Sequence, residues 1–587
     1  MGIIDQIKKD LKLYYKVLPD IVNYQIATKA FIAVWLFLFD RIFQTLLISS
    51  GRVAVTSGDY VFLFTTWQGI LILALGLCSL FLYVAFDLNA QIVLCRELLN
   101  GRKGRLGVCF KEGLSSIKKF LNLRGILVVL YITFISPILG MGVSISMTKG
   151  LYIPTFITAF IESSVLYSAL GIIVVLIFLS IGIANLFILH GIIIDKMSIK
   201  ESGKQSSDLI RANWKDYLKQ NILYILVIAV TLVVVAIVCL LIPLKLIDLL
   251  PLPTLIGRPI IIFVAIVGVI ISILADLVGI PVYLLKMTQL FYSYKQGEEF
   301  EAVEITDRKK TRHRVGSLVT MAAVIVAVIL ITVFFDRLFP INTNVDVIAH
   351  RGGGCEGPEN TVAGLEIARK AGAYGSEIDI QRTKDGQYII NHDSSFKRVT
   401  GVSGKPEEMT LKEVKKLSIE GEPVPTLEEM LMASKGSMVL FIELKGNTAD
   451  QMMADDAVRL VKEYQMEEEC VLISLKYDII DYIETTYPEI QTGFLTFASF
   501  GRTAALNCDY LGLEEESATV DTINAIHNEN KKVLVWTVNE EGSQKYFLCS
   551  MVDGIITDNV SQALKLSGEL EDRSDLERMI DKIKTIL

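Results

Sequence analysis

Residues 346–393 hold the side chains of this chain that are best suited to chemistry. The segment contains two of the five histidines, His350 and His392, and an Arg-Gly-Gly-Gly turn. Glu377 and Asp379 are two residues apart in an apolar run typical of a β-strand, so both carboxylates project from one face. Like charges held side by side repel each other unless a cation lies between them. The segment therefore predicts a metal site beside two acid–base candidates.

These side chains need a scaffold that brings separate strand ends together. From residue 346 onward, short β-rich runs alternate with helical stretches over about 220 residues, which predicts a parallel (β/α)8 TIM barrel. The active sites of such barrels lie at the C-terminal ends of the strands. The candidate polar residues fall at or near those ends: His350, Glu377 with Asp379, Glu443 with Lys445, and Trp536.

The barrel pattern has one strand too many. Nine β-rich runs can be counted, whereas a TIM barrel needs eight. The runs that contain Asp379 and His392 are separated only by Thr-Lys-Asp-Gly-Gln, in which Asp-Gly is a strong hairpin signal. A parallel crossover needs about a dozen residues or more. The second run is therefore predicted to form a small antiparallel hairpin insertion, with His392 at its end.

The N-terminal part of the chain has a different composition. The 587 residues are 52% apolar, with a mean hydropathy of +0.48. Residues 1–340 carry 32 Lys and Arg against 21 Asp and Glu, whereas residues 341–587 carry 25 against 43. Seven apolar runs are each long enough to cross a bilayer, which takes about 20 residues. These predicted spans of an all-α transmembrane bundle lie near 30–50, 61–86, 125–148, 168–190, 222–247, 259–285 and 316–335.

Loop charges predict the orientation of these spans. Segments rich in Lys and Arg alternate with segments that are poor in them, and basic loops stay in the cytoplasm. Seven spans then place the N-terminus in the cytoplasm and the residues after 336 outside the cell. Within the first span, Asp40 and Arg41 are either a local pair or a polar feature inside the bundle.

Other conspicuous residues suggest no chemistry of their own. The eight cysteines form no CxxC or Cys/His pattern, so zinc is not expected, and Cys355 has no evident thiol-activating partner. No cleavable signal peptide is expected, because the first apolar run follows a charged segment. His527 is expected to be merely solvated on a surface helix.

Seven short motifs run through the C-terminal part: HRG…PENT, EIDIQRTKDG, HD, PTLEE, FIELKG, VWTVN and DGIITD. Their order, and their spread over nearly all of 346–565, closely resemble the glycerophosphodiester phosphodiesterase family. The N-terminal part is similar in layout to the membrane domain that is fused to some bacterial members of that family. The implied location is therefore a bacterial cell membrane, crossed several times, with the catalytic barrel outside.

The resemblance implies a role for each candidate residue. Glu377, Asp379 and Glu443 would hold a divalent metal, and an all-oxygen site suits a hard cation such as Mg²⁺ or Ca²⁺. His350 and His392 would supply the acid and the base, since imidazole both takes and gives a proton near neutral pH. The implied substrate-binding residues are Arg351 and Lys445 at the phosphate, Trp536 at the glycerol, and Glu359 and Asn360 nearby.

Purely structural roles stay open for several of these residues. Glu443 and Lys445 could form a simple ion pair within the barrel. Glu359 and Asn360 could cap a loop, and Trp536 could pack in the core.

Together the patterns and the resemblance predict a membrane-anchored, metal-dependent phosphodiesterase. It would hydrolyse glycerophosphodiesters to glycerol phosphate and an alcohol, with a membrane-linked substrate preferred. One alternative is a lysophospholipase D, or a hydrolase of teichoic or lipoteichoic acid or of glycerophosphoglycolipids. Another is a lipid-handling or transport bundle with an attached barrel, because seven spans exceed what an anchor needs. Membrane lipids are expected partners and nucleic acid is not.

The predicted boundaries follow from these patterns. Residues 1–335 form the transmembrane domain and 336–345 the linker. Residues 346–565 form the barrel and 566–587 a C-terminal amphipathic helix.

Overall fold

The computed structural model describes residues 3–56, 60–135, 158, 161, 164–242, 254–303, 314–339, 344–497, 499–570 and 573–579. These residues form two compact units. The first draws on residues 1–42, 71–153 and 158–335, and the second on residues 43–70 and 336–587. Much of the third predicted span, the end of the fifth, part of the linker and the end of the C-terminal helix lie outside the described residues.

Most of the described residues before the barrel are helical, as the long apolar runs predict. A helix satisfies every backbone hydrogen bond within one segment, which lipid requires. Among the described residues, five helices are long and apolar enough to cross a membrane, and each overlaps one predicted span: Ile7–Ser49, Trp67–Leu99, Val165–Ile193, Ile199–Cys239 and Ile256–Gln296. Two shorter apolar helices, Leu123–Thr133 and Ala323–Val333, lie in the other two predicted spans. The count of seven spans stays a prediction.

The first of these helices, Ile3–Ser49, runs without a break through Asp40 and Arg41. Basic segments of the first unit are tied by charge, since Glu112 lies 3.0 Å from Arg96 and 2.9 Å from Lys196. The α-helices before the barrel are Ile3–Ser49, Tyr60–Thr65, Trp67–Tyr83, Ala90–Leu99, Leu106–Ser116, Leu123–Leu130, Val165–Ala184, Ile188–Ile193, Ile199–Ala236, Thr254–Gln296, Arg314–Val333 and Phe335–Leu338.

The second unit contains a closed barrel of eight parallel strands, as predicted. The strands are β1 Asp346–Ala349, β2 Gly375–Arg382, β3 Val439–Leu444, β4 Cys470–Ser474, β5 Thr492–Thr496, β6 Tyr510–Glu514, β7 Lys532–Trp536 and β8 Gly554–Thr557. Neighbours in sequence are neighbours in the sheet, and β8 pairs with β1 to close the barrel. Closure brings the ends of β1 and β8 together although about 200 residues separate them.

Alternation along the strands divides the barrel core into two layers. Every second side chain points inward, and the inward cluster consists of Ile348, Phe441, Val471, Ile473, Leu495, Tyr510, Leu534 and Ile556. The other side chains pack against the surrounding helices. Those helices are Val362–Ala371, Leu427–Ser434, Gln451–Glu463, Tyr477–Thr486, Val520–Asn528, Glu541–Leu548 and Val560–Gly568. Between β5 and β6 the described residues form a two-residue strand, Phe500–Gly501, and a short 3-10 turn, Thr503–Ala505, in place of an α-helix.

The predicted hairpin follows β2. Tyr388–Ile390 pairs antiparallel with the end of β2, with Ile390 opposite Ile380. Gly386 adopts φ +79° in the turn, a left-handed conformation that glycine tolerates without strain. The Asp385 carboxylate closes the turn by accepting hydrogen bonds from Thr383 Oγ1 at 2.7 Å and from the N–H of Leu411 at 2.9 Å.

The chain segments that precede and follow the barrel are fastened to each other. Arg578 Nε donates to the carbonyl of Phe339 at 3.0 Å, and Arg578 Nη1 lies 3.0 Å from the Asp336 carboxylate. Met579 beside it is buried. The C-terminal segment thus holds the chain that leads into β1.

Candidate active site

Three buried carboxylates converge at the C-terminal ends of β2 and β3. Asp379 and Glu443 are directly opposite each other on these parallel strands, and Glu377 lies two residues before Asp379 on the same face. One oxygen of each carboxylate lies within 4.8 Å of the others. Among the described residues, this is the one cluster of three or more His, Cys, Asp or Glu side chains with such spacing. Buried carboxylates gathered this closely suit a hard divalent cation.

The charges in this cluster are not balanced. Lys445 Nζ donates to Asp379 Oδ1 at 2.9 Å and to Glu443 Oε2 at 3.0 Å, so one ammonium faces three carboxylates. Burial, together with repulsion from Asp379 and Glu443, raises the pKa of Glu377 well above its ordinary value. Burial raises the pKa of Glu443 to about 7, although Lys445 opposes the shift. A divalent cation would relieve this repulsion, so the residues present fit such a group.

Asp379 differs from Glu377 and Glu443 in the direction of its pKa shift. Burial acts to raise its pKa, but Lys445, His392 and Arg351 outweigh burial and hold the pKa below its ordinary value. Asn360 Nδ2 also donates to Asp379 Oδ2 at 2.8 Å. Asn360 therefore orients a candidate metal ligand. Capping of a loop, the alternative role that the sequence left open, does not account for this hydrogen bond.

The turn after β1 shapes the cluster from its other side. Arg351 and Asn360 both have positive φ, +51° and +55°, and the N–H of Asn360 donates to the carbonyl of Arg351 at 2.6 Å. This fold lets the N–H of Arg351 donate to Glu377 Oε2 at 2.8 Å. Gly354, at φ +64°, passes directly against the carbonyl of Asp558, where a side chain would collide.

His350 is held by Asp558, and Asp558 is held in turn by Asn539. Neither residue was predicted to have a role. His350 Nδ1 lies 2.7 Å from Asp558 Oδ1, and Asn539 Nδ2 donates to Asp558 Oδ2 at 2.6 Å. Burial acts to raise the pKa of Asp558, but His350 and Asn539 lower it below its ordinary value. A carboxylate at Nδ1 keeps the proton there and leaves Nε2 as the free acceptor. Asp558 ends the motif DGIITD and Asn539 ends the motif VWTVN. Membership of these motifs is the only feature of the sequence that could have indicated a role for the two residues.

His392 is held by a chain of ion pairs at the end of the hairpin. Its Nδ1 lies 2.8 Å from Asp393 Oδ1, and Asp393 Oδ2 accepts from Arg398 Nε at 2.8 Å. Arg398 also donates twice to Glu359, at 2.6 and 2.7 Å. Burial lowers the pKa of His392 to about 4, although Asp379 opposes the shift. Glu359 thus helps to position His392 through Arg398 and Asp393.

The remaining candidates are Arg351 and Trp536. Arg351 Nη1 lies 3.7 Å from Glu359, and its buried Nε has no hydrogen-bond partner among the described residues. Trp536 ends β7, and its Nε1 donates to the carbonyl of Gly512 at 3.1 Å. Its half-buried indole packs against the inward cluster of the barrel, so core packing is part of its role.

The ten predicted site residues therefore divide into three groups. Contacts connect Arg351, Glu359, Asn360, Glu377, Asp379, Glu443 and Lys445. His392 interacts electrostatically with Asp379 and Lys445, and is joined to Glu359 through Arg398. His350 and Trp536 occupy the ends of β1 and β7, each held by its own hydrogen bond.

Two family models match this chain. The model of the glycerophosphoryl diester phosphodiesterase family matches residues 350–562, which cover the barrel. The model of the membrane domain of glycerophosphoryl diester phosphodiesterase matches residues 7–332, more than half of the chain.

Individual relatives align with a little more than a third of this chain. A glycerophosphodiester phosphodiesterase of Caldanaerobacter subterraneus subsp. tengcongensis is 30% identical over 38% of this chain and 96% of its own length. One from Bacillus altitudinis is 27% identical over 38% and 99%. Among solved structures, an Oleispira antarctica phosphodiesterase in complex with the product sn-glycerol-3-phosphate is 26% identical over 38% of this chain and 96% of that chain, with a TM-score of 0.35.

Proposed function

The chain belongs to the glycerophosphoryl diester phosphodiesterase family and is a membrane protein, and we propose that its barrel hydrolyses membrane-linked glycerophosphodiesters with the help of Mg²⁺ or Ca²⁺. The observation that carries this proposal is the set of three buried carboxylate oxygens within 4.8 Å of one another, with Lys445 and Arg351 beside them. Such a site joins a cation-binding group to donors for a phosphodiester.

Glu377, Asp379 and Glu443 hold the cation in this proposal. When bound, it would neutralise the carboxylates and stabilise charge that develops on a phosphoryl oxygen. Asn360 and the N–H of Arg351 fix the orientation of Asp379 and Glu377.

The phosphate lies between cationic donors. Arg351 Nε is buried without a protein partner among the described residues, and it is available to an anionic oxygen. Lys445 is held at the same place by Asp379 and Glu443. The indole of Trp536, fixed by Gly512, provides an apolar wall for the glycerol carbons.

His350 and His392 transfer the protons. One takes a proton from the attacking oxygen and the other gives a proton to the leaving alkoxide. In each imidazole Nδ1 faces a carboxylate, that of Asp558 or Asp393, so Nε2 is the nitrogen that acts on substrate. The carboxylates also stabilise the imidazolium that forms during proton transfer.

Metal removal tests the catalytic part of the proposal. The full-length protein in nanodiscs is treated with excess chelator, and release of glycerol phosphate is followed before and after Mg²⁺ or Ca²⁺ is returned. We expect activity to disappear and to return with one or both ions. Turnover that persists at full rate in the chelator would contradict the metal assignment.

The preference for a membrane-linked substrate rests on the short linker. Residues 336–345 reach about 35 Å at most, even when fully extended, so the barrel stays near the membrane that the preceding spans cross. Substrates tethered to that surface include a lysophospholipid, a glycerophosphoglycolipid and a polyglycerolphosphate chain. The test compares kcat/KM for these membrane-linked substrates with kcat/KM for soluble glycerophosphocholine. A clearly higher kcat/KM for glycerophosphocholine would contradict the preference.

The external location of the barrel is tested by labelling. Gly568→Cys suits this test in a cysteine-depleted variant, because no atom lies within 4 Å of the added Cβ. An impermeant thiol reagent is expected to label it on intact cells. Lys204→Cys, in a segment predicted to be cytoplasmic, is the matched control and should react only after lysis. Reversed labelling of the two variants would contradict the orientation.

A further inference from the structure

A short strand from early in the chain pairs with a loop of the catalytic unit. Ala54 and Val55 lie antiparallel to Phe500 and Gly501, with Ala54 opposite Gly501 and Val55 opposite Phe500. The N–H of Arg502 donates to the carbonyl of Val53 at 2.9 Å, which extends the pairing. Residues 43–70 belong to the same compact unit as the barrel, so this pairing lies within one unit.

The contact is closely packed. Ala54, Val55 and Thr56 are buried, and Ala54 joins the hydrophobic cluster between the barrel strands and their helices. Gly501 adopts φ +107°, and a Cβ added there would lie 2.8 Å from the carbonyl oxygen of Val53 and 2.9 Å from Leu47 Cδ1. Two features therefore favour glycine at this position: the positive φ, and the close approach of the early segment, which leaves no room for a side chain.

The loop that receives this strand departs from the regular barrel pattern. It starts at the C-terminal end of β5, the end of the barrel that holds the candidate site, and reaches β6 without an α-helix among its described residues. Lys531 Nζ donates to the carbonyl of Ala504 at 2.8 Å, and the N–H of Asn507 donates to Tyr477 Oη at 2.9 Å. These contacts fasten residues 503–507, whereas residues 500–502 have their backbone paired with the early strand.

We propose that residues 53–55 are a docking strand that orders the loop 499–507, which runs along the outside of the barrel from the end of β5 to the start of β6. An unpaired strand edge leaves backbone N–H and C=O groups without partners, and pairing with the early segment supplies them. The partner of this edge is a segment of the same chain, distant by more than 400 residues in sequence. The catalytic unit therefore consists of the barrel and this strand together.

Disulfide trapping tests the register of the docking. In a cysteine-depleted full-length protein in native membranes, Val55→Cys with Phe500→Cys is expected to cross-link under mild oxidation. Paired residues of antiparallel strands have Cα atoms about 5.5 Å apart, which is within disulfide range. The control, Arg52→Cys with Phe500→Cys, is shifted by three residues or about 10 Å and should not cross-link. Equal cross-linking of both pairs, or none in the first pair, would overturn the proposal.

Limited proteolysis tests whether docking orders the loop. Arg502 is exposed and offers trypsin a single site in the loop. Gly501→Ala should speed cleavage there about fivefold, which is the equivalent of losing roughly one backbone hydrogen bond. Gly401→Ala is the matched control, because Gly401 also has positive φ, +78°, but no atom lies within 4 Å of its added Cβ. Equal cleavage at Arg502 in the two variants would show that the early strand does not order the loop.

Discussion

The two ends of the barrel contain the same kinds of charged residue in different arrangements. At the C-terminal ends of the strands, three carboxylates lie within 4.8 Å of one another and share one lysine. At the N-terminal ends, two carboxylates, a lysine and a histidine also lie close together: Asp346, Asp553, Lys532 and His527. We call these the catalytic end and the opposite end.

At the opposite end most of these groups have partners that join structural elements. Asp553 Oδ2 accepts from His527 Nε2 at 2.9 Å and from the N–H of Val533 at 2.7 Å. Lys532 Nζ donates to Tyr510 Oη at 3.0 Å. The expectation that His527 is merely solvated was therefore wrong, because it ties its helix to the start of β8.

The comparison shows that residue type alone does not reveal function. At the opposite end most of the charged groups form bonds that stabilise the fold. At the catalytic end the carboxylates repel one another, and one lysine does not balance them, so an added cation would relieve the repulsion. Substitutions at the catalytic end should therefore change activity more than stability. Those at the opposite end should do the reverse.

The largest effect is expected at the three carboxylates. Glu377→Ala, Asp379→Ala or Glu443→Ala should lower kcat/KM by on the order of 10³ or more, since losing even one group that stabilises developing charge costs about 10²–10³. The fold should persist. Glu377→Gln, which removes a repelled charge and keeps an acceptor for Arg351, should unfold at a Tm no lower than that of the parent measured without metal. A marked fall in that Tm would mean that the carboxylate has a structural role.

The two histidines come next. His350→Ala and His392→Ala should each lower kcat by about 10²–10⁴, the usual contribution of a positioned acid or base. Their circular dichroism spectra and Tm should stay near those of the parent. Near-normal turnover in His392→Ala would show that the hairpin histidine only supports the structure.

Asp558 should have a smaller effect on the same chemistry. Asp558→Asn keeps a hydrogen-bonding side chain but removes the charge that holds the proton on His350 Nδ1. Rates should fall by about 10–100-fold, as is common for residues that orient a functional group. The split between kcat and KM separates orientation from simple destabilisation, because kcat should fall in Asp558→Asn while KM and Tm stay near those of the parent. An unchanged kcat would argue against this role.

The opposite end should respond in stability alone. His527→Ala removes a half-exposed partner of Asp553 and should lower the free energy of unfolding by about 1 kcal/mol, after allowance for solvent screening. The kcat of the folded enzyme should stay unchanged. A loss of kcat without a loss of stability would contradict the division between the two ends.

The smallest effect is expected at Asp346. Burial, with Asp553 adding to it, raises the pKa of Asp346 to about 6, above the value of about 3.9 in an unfolded chain. Its ionisation therefore destabilises the fold as pH rises from about 4 to about 6, and the cost persists above that range. Asp346→Asn should stabilise the protein by less than ~1 kcal/mol at pH 7.5, because the group is half-exposed, and by nothing measurable at pH 3.5. A stabilisation that is equal at both pH values would have another cause.

The sequence was sufficient for the parts of the fold that local pattern encodes. Alternating runs and the Asp-Gly turn predicted eight parallel strands and the hairpin that ends at His392, and the structure has both. The spacing of Glu377 and Asp379 correctly indicated two carboxylates on one face. Glu443 was added by the resemblance, and the structure brings it to the same place.

What the sequence could not supply depends on contacts between distant segments. Asp558 meets His350 only because the barrel closes between β8 and β1, and no local pattern records that closure. The ion-pair chain through Arg398 depends on how the residues after the hairpin fold back towards the turn after β1. The strand at Ala54 and Val55 is two residues long, too short for any periodicity to mark.

Arg578 bonds to Phe339 and Asp336, and these contacts bear on how the order of segments in the barrel could be changed by engineering. The chain enters and leaves the barrel at one point, so its two ends are close enough to be joined by a short peptide. A circularly permuted barrel, or a barrel inserted into a surface loop of another host, would need little new chain to bridge the gap. A transplanted barrel would also need a substitute for the docking strand 53–55, because that strand lies outside the segment between residues 336 and 578.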